Sequence, residues 1–265
     1  MQGCLPTPNK EVPMERECEP FLPHGRVKKA FISAILPDDI TSELTDYGIT
    51  VYRLGRSKNI LSELAYHPDI LVNNFRKGMW ICESGADYLP AGLPDGMFRE
   101  SENELSSFYP FDCPFNNYRL GRNLICGKSV DYLIKAYATY EDLNIIYVPQ
   151  NYAKCCSVIV NDYSVITCDY YIGRFLKEHG YNVLTVGGSA DIHLNGYSSG
   201  MIGGCAAKLA PDLLVFTGDI NKYEHGESVR DFCADVGVDV FSLSSRPLYD
   251  YGGILPITEI VPENS

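Results

Sequence analysis

Residues 69–78 read Asp69-Ile-Leu-Val-Asn73-Asn74-Phe75-Arg76-Lys-Gly78, and residues 112–121 read Asp112-Cys-Pro-Phe-Asn116-Asn117-Tyr118-Arg119-Leu-Gly121. The shared pattern Asp-x-x-x-Asn-Asn-aromatic-Arg-x-Gly returns after 112 − 69 = 43 residues. Each copy runs on into an apolar stretch, Met79-Trp80-Ile81-Cys82 in the first and Leu124-Ile125-Cys126 in the second. Two short apolar runs joined through Asn and Gly form a hairpin signature, because those residues tolerate the backbone angles of tight turns. Asn73, Asn74, Asn116 and Asn117 are therefore expected to serve the hairpin turns. A weaker third copy places Val160-Asn161-Asp162-Tyr163 opposite Val72-Asn73-Asn74-Phe75. Ser157 then stands where Asp112 stood, a shift of 157 − 112 = 45 residues. A fourth copy runs from Gly200 to Cys205 and on through 212–218.

A helix and a strand follow each hairpin. Apolar residues at helical spacing mark 129–137, 170–180 and 228–237, the last two ending on Gly180 and Gly237 as C-terminal caps. The strands that follow are 144–148, 182–186 and 238–243. A further unit is assembled from both ends of the chain: strand 252–258, strand 26–32, helix 40–48 and strand 49–53. Residues 90–107, rich in Gly, Pro, Glu and Ser, read as an irregular insertion. Periods in the forties signal repeated supersecondary units, and closing them into a ring removes exposed sheet edges. The expected fold is α/β, one domain over 26–265, with an irregular proline-rich arm over 1–25.

Composition limits the partners. The chain of 265 residues carries 34 acidic and 22 basic side chains, a formal charge of −12. Such a surface repels phosphate backbones, which excludes nucleic acid as the default partner. A cationic ligand fits the sign, and so does solubility alone. No apolar run reaches membrane-spanning length, and the N-terminus lacks the apolar region of a secretory signal. The ten cysteines form no Cys-x-x-Cys pair, so no structural zinc site is expected. Several lie in apolar strand-like runs, as reduced buried thiols of a cytoplasmic protein do. Gly187-Gly188 lacks dinucleotide-loop spacing, and no cofactor is expected.

Six segments carry a resemblance: Tyr66-His67-Pro68-Asp69, Tyr109-Pro-Phe-Asp112, Tyr152-Ala-Lys-Cys-Cys156, Met201-Ile-Gly-Gly-Cys205, Phe216-Thr-Gly-Asp219 and Gly252-Gly253-Ile-Leu-Pro256. With the repeat, they make the chain resemble the pentein, or guanidino-modifying enzyme, superfamily, and within it an uncharacterised bacterial family. The resemblance implies an α/β propeller of five ββαβ repeats around a pseudo-fivefold axis. In enzymes of that superfamily a C-terminal cysteine attacks a guanidinium carbon, a histidine serves as general acid and base, and carboxylates clamp the guanidinium. Forked donors suit paired carboxylates, and the carbon calls for a thiolate. The resemblance assigns the clamp to Asp112 and the general acid to His193 in Ile192-His-Leu-Asn. It puts Pro256 where the nucleophile is expected, and no cysteine lies in 252–258.

The candidate site residues follow. Asp69 and Asp112 occupy equivalent repeat positions, and either line a pocket or cap turns between units. His67, Asn116 and Ser157 are candidates for substrate binding; His193 and Cys156 are candidates for catalysis. Adjacent Cys155 and Cys156 point to opposite faces of a strand, so one of them reaches the middle. Cys205 sits between small residues, where packing is tight. Three functions are consistent with the sequence. The first is binding of a small guanidino, amine or amino-acid-like molecule without the cysteine hydrolase mechanism. The second is an amidinotransferase- or deiminase-type enzyme with a displaced nucleophile. The third is a non-catalytic interaction scaffold. Oligomeric state is not legible.

Overall fold

The computed structural model describes residues 13–262. Strands β1 (Pro13–Glu17) and β2 (Arg26–Ser33) lead into helix α1 (Asp38–Asp46) and β3 (Thr50–Leu54). A short helix α2 (Pro68–Leu71) enters the hairpin β4 (Val72–Arg76) and β5 (Met79–Glu83), and β6 (Phe98–Ser101) follows. Next come β7 (Tyr118–Leu120), β8 (Asn123–Cys126), α3 (Tyr132–Tyr140) and β9 (Asn144–Tyr147). The third hairpin is β10 (Ser157–Asn161) and β11 (Ser164–Thr167), with α4 (Tyr170–Glu178) and β12 (Asn182–Thr185). After β13 (Ile192–His193) come β14 (Ala206–Ala210), β15 (Leu213–Phe216), α5 (Gly226–Ala234) and β16 (Asp239–Ser242). The chain closes with β17 (Leu248–Tyr249) and β18 (Leu255–Pro262).

One pairing rule recurs. In each of β4-β5-β6, β7-β8-β9, β10-β11-β12 and β14-β15-β16, an antiparallel hairpin is followed by a third strand parallel to the second. A parallel return needs a crossover, and α3, α4 and α5 supply it in three of the four. The fifth sheet repeats the rule from the two ends of the chain: β18 is antiparallel to β2, and β2 is parallel to β3 across α1. The sheets share no backbone strand pairing with one another. They meet through side chains, as Phe31 of β2 does against Trp80 of β5, edge to face at 4.9 Å.

Local chemistry explains the helices. Asp169 accepts from Ile172 N at 2.8 Å to cap α4, and Gly180 takes φ +83° just past its end. Gly173, on the buried face of α4, lies so close to β12 that an added Cβ would stand 2.3 Å from Thr185 Oγ1. Asp131 caps α3 through Leu133 N and also accepts from Ser101 Oγ at 2.7 Å, tying the first hairpin unit to the second.

Several expectations need correction. Residues 13–17 of the expected irregular arm form β1, paired with β18 from Pro13↔Pro262 to Glu17↔Thr258. Phe21 and Leu22 are buried in the main core, so the packed unit begins well before residue 26. The part of the arm over 1–12 lies outside the described residues. The insertion 90–107 is not wholly irregular, since Phe98–Ser101 runs parallel to β5. The asparagine pairs are not at the turns. Arg76↔Met79 and Leu120↔Asn123 close the hairpins, leaving residues 77–78 and 121–122 as the turns. Asn73 Nδ2 instead donates across units to Phe115 O at 2.9 Å and Asn117 Oδ1 at 3.1 Å. The third copy is also out of register. Val72 pairs with Cys82 and Ser157 with Thr167, each with the fourth residue of its second strand. Counting three residues back from these rungs puts Lys154, not Ser157, at the place of Asp69.

Candidate functional site

The segments leading into the first strands of the hairpins bring one polar cluster together. His67 and Asp69 come from the start of α2, Asn116 from the run before β7, Lys154 and Cys155 from the turn before β10, and Asp250 from the turn before β18. All six are at most 4% exposed. They stand beside a cavity of ≈ 50 Å³ whose wall includes His67, Tyr152, Cys155, Tyr197 and Asp250. Leu64, Ile70, Leu194 and Met201 supply its apolar side. About 10–15 Å³ of such space holds one water, so this cavity has room for a group of a few heavy atoms.

The hydrogen bonds are unevenly shared. Cys155 Sγ lies 3.1 Å from Asp69 Oδ2, to which it donates, and Asn116 Nδ2 reaches the same sulfur at 2.9 Å. Asn116 Oδ1 accepts from Lys154 N at 2.8 Å and Cys155 N at 3.1 Å, fixing that turn. Asp250 is well held: its Oδ2 accepts from Met201 N at 2.9 Å and its Oδ1 from Gly252 N at 3.0 Å. Gly252 takes φ +76°, and a Cβ there would stand 2.5 Å from the His67 backbone, so only glycine lets the last turn approach α2. By contrast, Asp69 Oδ1 and both ring nitrogens of His67 have no hydrogen-bonding partner among the described residues. The closest charged group to the ring is Asp250 Oδ1, 3.6 Å from Nδ1.

Electrostatics follow from burial. Desolvation pushes the Asp69 carboxyl up to about 6, with Lys154 pulling the other way. Burial, and then the Asp69 charge, push the Cys155 thiol well above its ordinary range. The Lys154 ammonium donates to Ser157 O at 3.4 Å and Gly203 O at 3.2 Å, with Phe21 stacked below it at 5.0 Å. Lys154 is thus a buried cation held by backbone carbonyls whose charge favours the ionised form of Asp69.

The other expected residues are distributed as follows. Asp112 is buried; Tyr152 donates to its Oδ2, while its Oδ1 has no partner among the described residues. Ser157 is buried at the start of β10, and its hydroxyl accepts from Tyr118 at 3.2 Å. Cys156 turns away from the cluster and meets Met201 Sδ at 3.5 Å, so Cys155 is the member of the pair that reaches the cavity. Cys205 is fully buried and donates to Met201 O. His193 is exposed in β13; its backbone accepts from Asp250 N at 3.0 Å, but its ring is not part of the cavity wall. Pro256 lies in β18 opposite Ala30, beside a void of ≈ 10 Å³ next to Lys154 and Phe21. A larger open groove of ≈ 710 Å³ runs past Glu15, Lys29 and Leu93. Its charges are already engaged, Lys29 with Glu15 at 2.7 Å.

A model of a family of unknown function, DUF6873, matches residues 31–255, which include every member of the cluster. The chain belongs to this family. A comparison with curated proteins gives no match. Solved structures similar to this DUF6873 chain include Pseudomonas aeruginosa dimethylarginine dimethylaminohydrolase, a cysteine-to-serine mutant complexed with citrulline. It has 7% identity and a TM-score of 0.52, over 83% of this chain and 93% of that one. A second is the same type of enzyme as an adduct with 4-chloro-2-hydroxymethylpyridine, at 8% identity and a TM-score of 0.50 over the same shares. A third is agmatine deiminase of C. jejuni, a cysteine-to-serine mutant with substrate bound. It has 8% identity and a TM-score of 0.52, over 95% of this chain and 98% of that one. At such identities the likeness establishes the fold: DUF6873 is a mixed α/β protein of the pentein type.

Sequence reading missed Lys154 and Asp250. The signal for Lys154 was the strand register, which moves the third copy by three residues. The signal for Asp250 was its place just before Gly252-Gly253, a pair whose positive φ angles mark a close approach of backbone.

Proposed function

We propose that this chain binds a small molecule bearing a guanidinium or amine head in the cavity between His67, Cys155 and Asp250. The observation that carries the reading is Asp69: a carboxylate 2% exposed with one oxygen unpartnered among the described residues. A buried charge needs a counter-charge or hydrogen bonds, and a forked cation supplies both. The cavity's volume suits such a head, while the rest of the ligand would run out past Tyr152 and Tyr197. In this reading the five sheets stand as an α/β propeller about a pseudo-fivefold axis, with Asp69 and Asp112 serving the ligand. Contacts of β10 with β14, β14 with β18, and β4 with β7 support that arrangement. The nine described cysteines are free, which suits a reducing cytoplasm. Thermal-shift titration with arginine, agmatine, creatine and methylarginines tests the proposal. At least one should raise the melting temperature of the wild type and leave Asp69→Asn unmoved. No shift with any of them defeats it.

A second reading is favoured by one contact, the Cys155 thiol on Asp69 beside the same cavity. Here Cys155 replaces the nucleophile that the fold's enzymes place at the position of Pro256. A bound cation would offset the burial that holds the thiol protonated. Release of ammonia or citrulline from a guanidino substrate, lost in Cys155→Ser while binding persists, is the expected result. Binding with no turnover leaves the first reading standing alone.

A further inference from the structure

The strongest unassigned chemistry lies one strand-face away from the cavity, in a pair of thiols. Cys156 and Cys168 flank the first rung of the third hairpin, Ser157↔Thr167, and so stand opposite one another. Their backbones are joined, Cys168 N donating to Cys156 O at 3.0 Å. Opposed residues of an antiparallel pair have Cα atoms roughly 4.5–5.5 Å apart and side chains on one face. Disulfides need roughly 4.4–6.8 Å.

The pair is asymmetric. Cys156 is 2% exposed, while Cys168 is half-buried. Cys168 stands two residues before the start of α4. Backbone donors and a helix N-terminus both favour a thiolate. The Cys156 thiol donor, and then the Ile202 amide, hold Cys168 below the usual thiol range against its burial. Cys156 is held well above that range by the same bond and by burial.

We propose that Cys168 and Cys156 form an oxidative modification site, with Cys168 the attacking thiol and Cys156 the resolving one, and hydrogen peroxide as oxidant. The Cys168 sulfur attacks one peroxide oxygen. The O–O bond breaks, the distal oxygen leaves as water with the thiol proton, and Cys168 becomes a sulfenic acid. The Cys156 sulfur then displaces that hydroxyl, its own proton leaving in a second water. One peroxide is reduced by two electrons and one disulfide is formed; a dithiol reductant reverses it. Closing the bridge draws Cys156 away from Met201, which lines the cavity.

Peroxide titration of the folded full chain, followed by peptide mass spectrometry, tests this without any ligand, and so independently of the binding proposal. The expected result is loss of two thiols per chain with a single cross-link between Cys156 and Cys168. It should form at least about tenfold faster than any other cysteine is oxidised. Cys156→Ser should leave Cys168 as a sulfenic acid that dimedone traps, and Cys168→Ser should abolish the fast phase. Cross-linking of other pairs in the wild type, or no rate advantage for Cys168 over the urea-unfolded chain, overturns the proposal even if both variants fail to fold.

Discussion

Two buried carboxylates, Glu259 and Asp69, are treated in opposite ways. Glu259, 0% exposed in β18, is saturated: Arg16 Nε reaches Oε1 at 3.0 Å, and the backbone amides of His24 and Gly25 donate to Oε2. It pins the chain between β1 and β2 onto the last strand. Asp69 has a single thiol donor on one oxygen and none among the described residues on the other. Folding alone explains a saturated buried charge. A half-satisfied one costs stability that a fold has no reason to accept unless something else completes it. The contrast separates structural from functional burial within one molecule.

Removing the saturated group should have the largest effect. Glu259→Ala takes the buried acceptor away from the His24 and Gly25 amides and one partner away from Arg16, and is expected to lose roughly 3 kcal/mol in urea unfolding. A loss below about 1 kcal/mol would dissolve the contrast. The half-satisfied group should declare itself through pH. Burial raises Asp69 to about 6 from 3.8, so between those values the native state binds more protons than the unfolded one. Stability of the ligand-free protein should therefore fall as pH rises from about 4 to about 6. Over that window Asp69 contributes roughly 3 kcal/mol, and nothing further above it. Asp69→Asn should flatten the variant's own curve over that window, so that the wild-type-minus-variant difference carries the slope; an unchanged slope in the variant would mean that Asp69 is already matched. Asn116→Ala removes the bridge from Asp69 O and Cys155 to the turn at Lys154, and should cost about 2 kcal/mol by the same assay. The smallest effect belongs to Tyr152→Phe. It frees the Asp112 carboxylate at about 1 kcal/mol and weakens binding of a cationic ligand less than Asp69→Asn does.

The sequence carried the repeat because hairpins and helices are local. Apolar spacing marks α3, α4 and α5 within a few residues, and the recurrence of Asp-x-x-x-Asn-Asn marks β4-β5 and β7-β8. What it hid was set by distant partners. Register shifts between Asn74 and Arg76, and between Ile159 and Asn161, are absent from β7-β8, so aligning identical letters slides one hairpin against another. Ser157 took the place of Lys154 because the letters Val160-Asn-Asp-Tyr and Val72-Asn-Asn-Phe match three residues away from the alignment set by the rungs Val72↔Cys82 and Ser157↔Thr167. Asn73 and Asn116 looked like turn residues, because their use as bridges depends on neighbours more than forty positions away. Cys155 and Cys156 lie in the turn before β10 and not on a strand, and the positions of Asp69 and Met201 decide which thiol reaches the cavity.

The pairing of β2 with β18 brings Arg26 beside Ile260. During synthesis β2 must wait, with one edge bare, until Leu255–Pro262 has left the ribosome. That sheet is thus a seam sewn more than two hundred residues after its first strand is made, and its open edge is where a nascent chain of this kind is most exposed to aggregation and most in need of a chaperone.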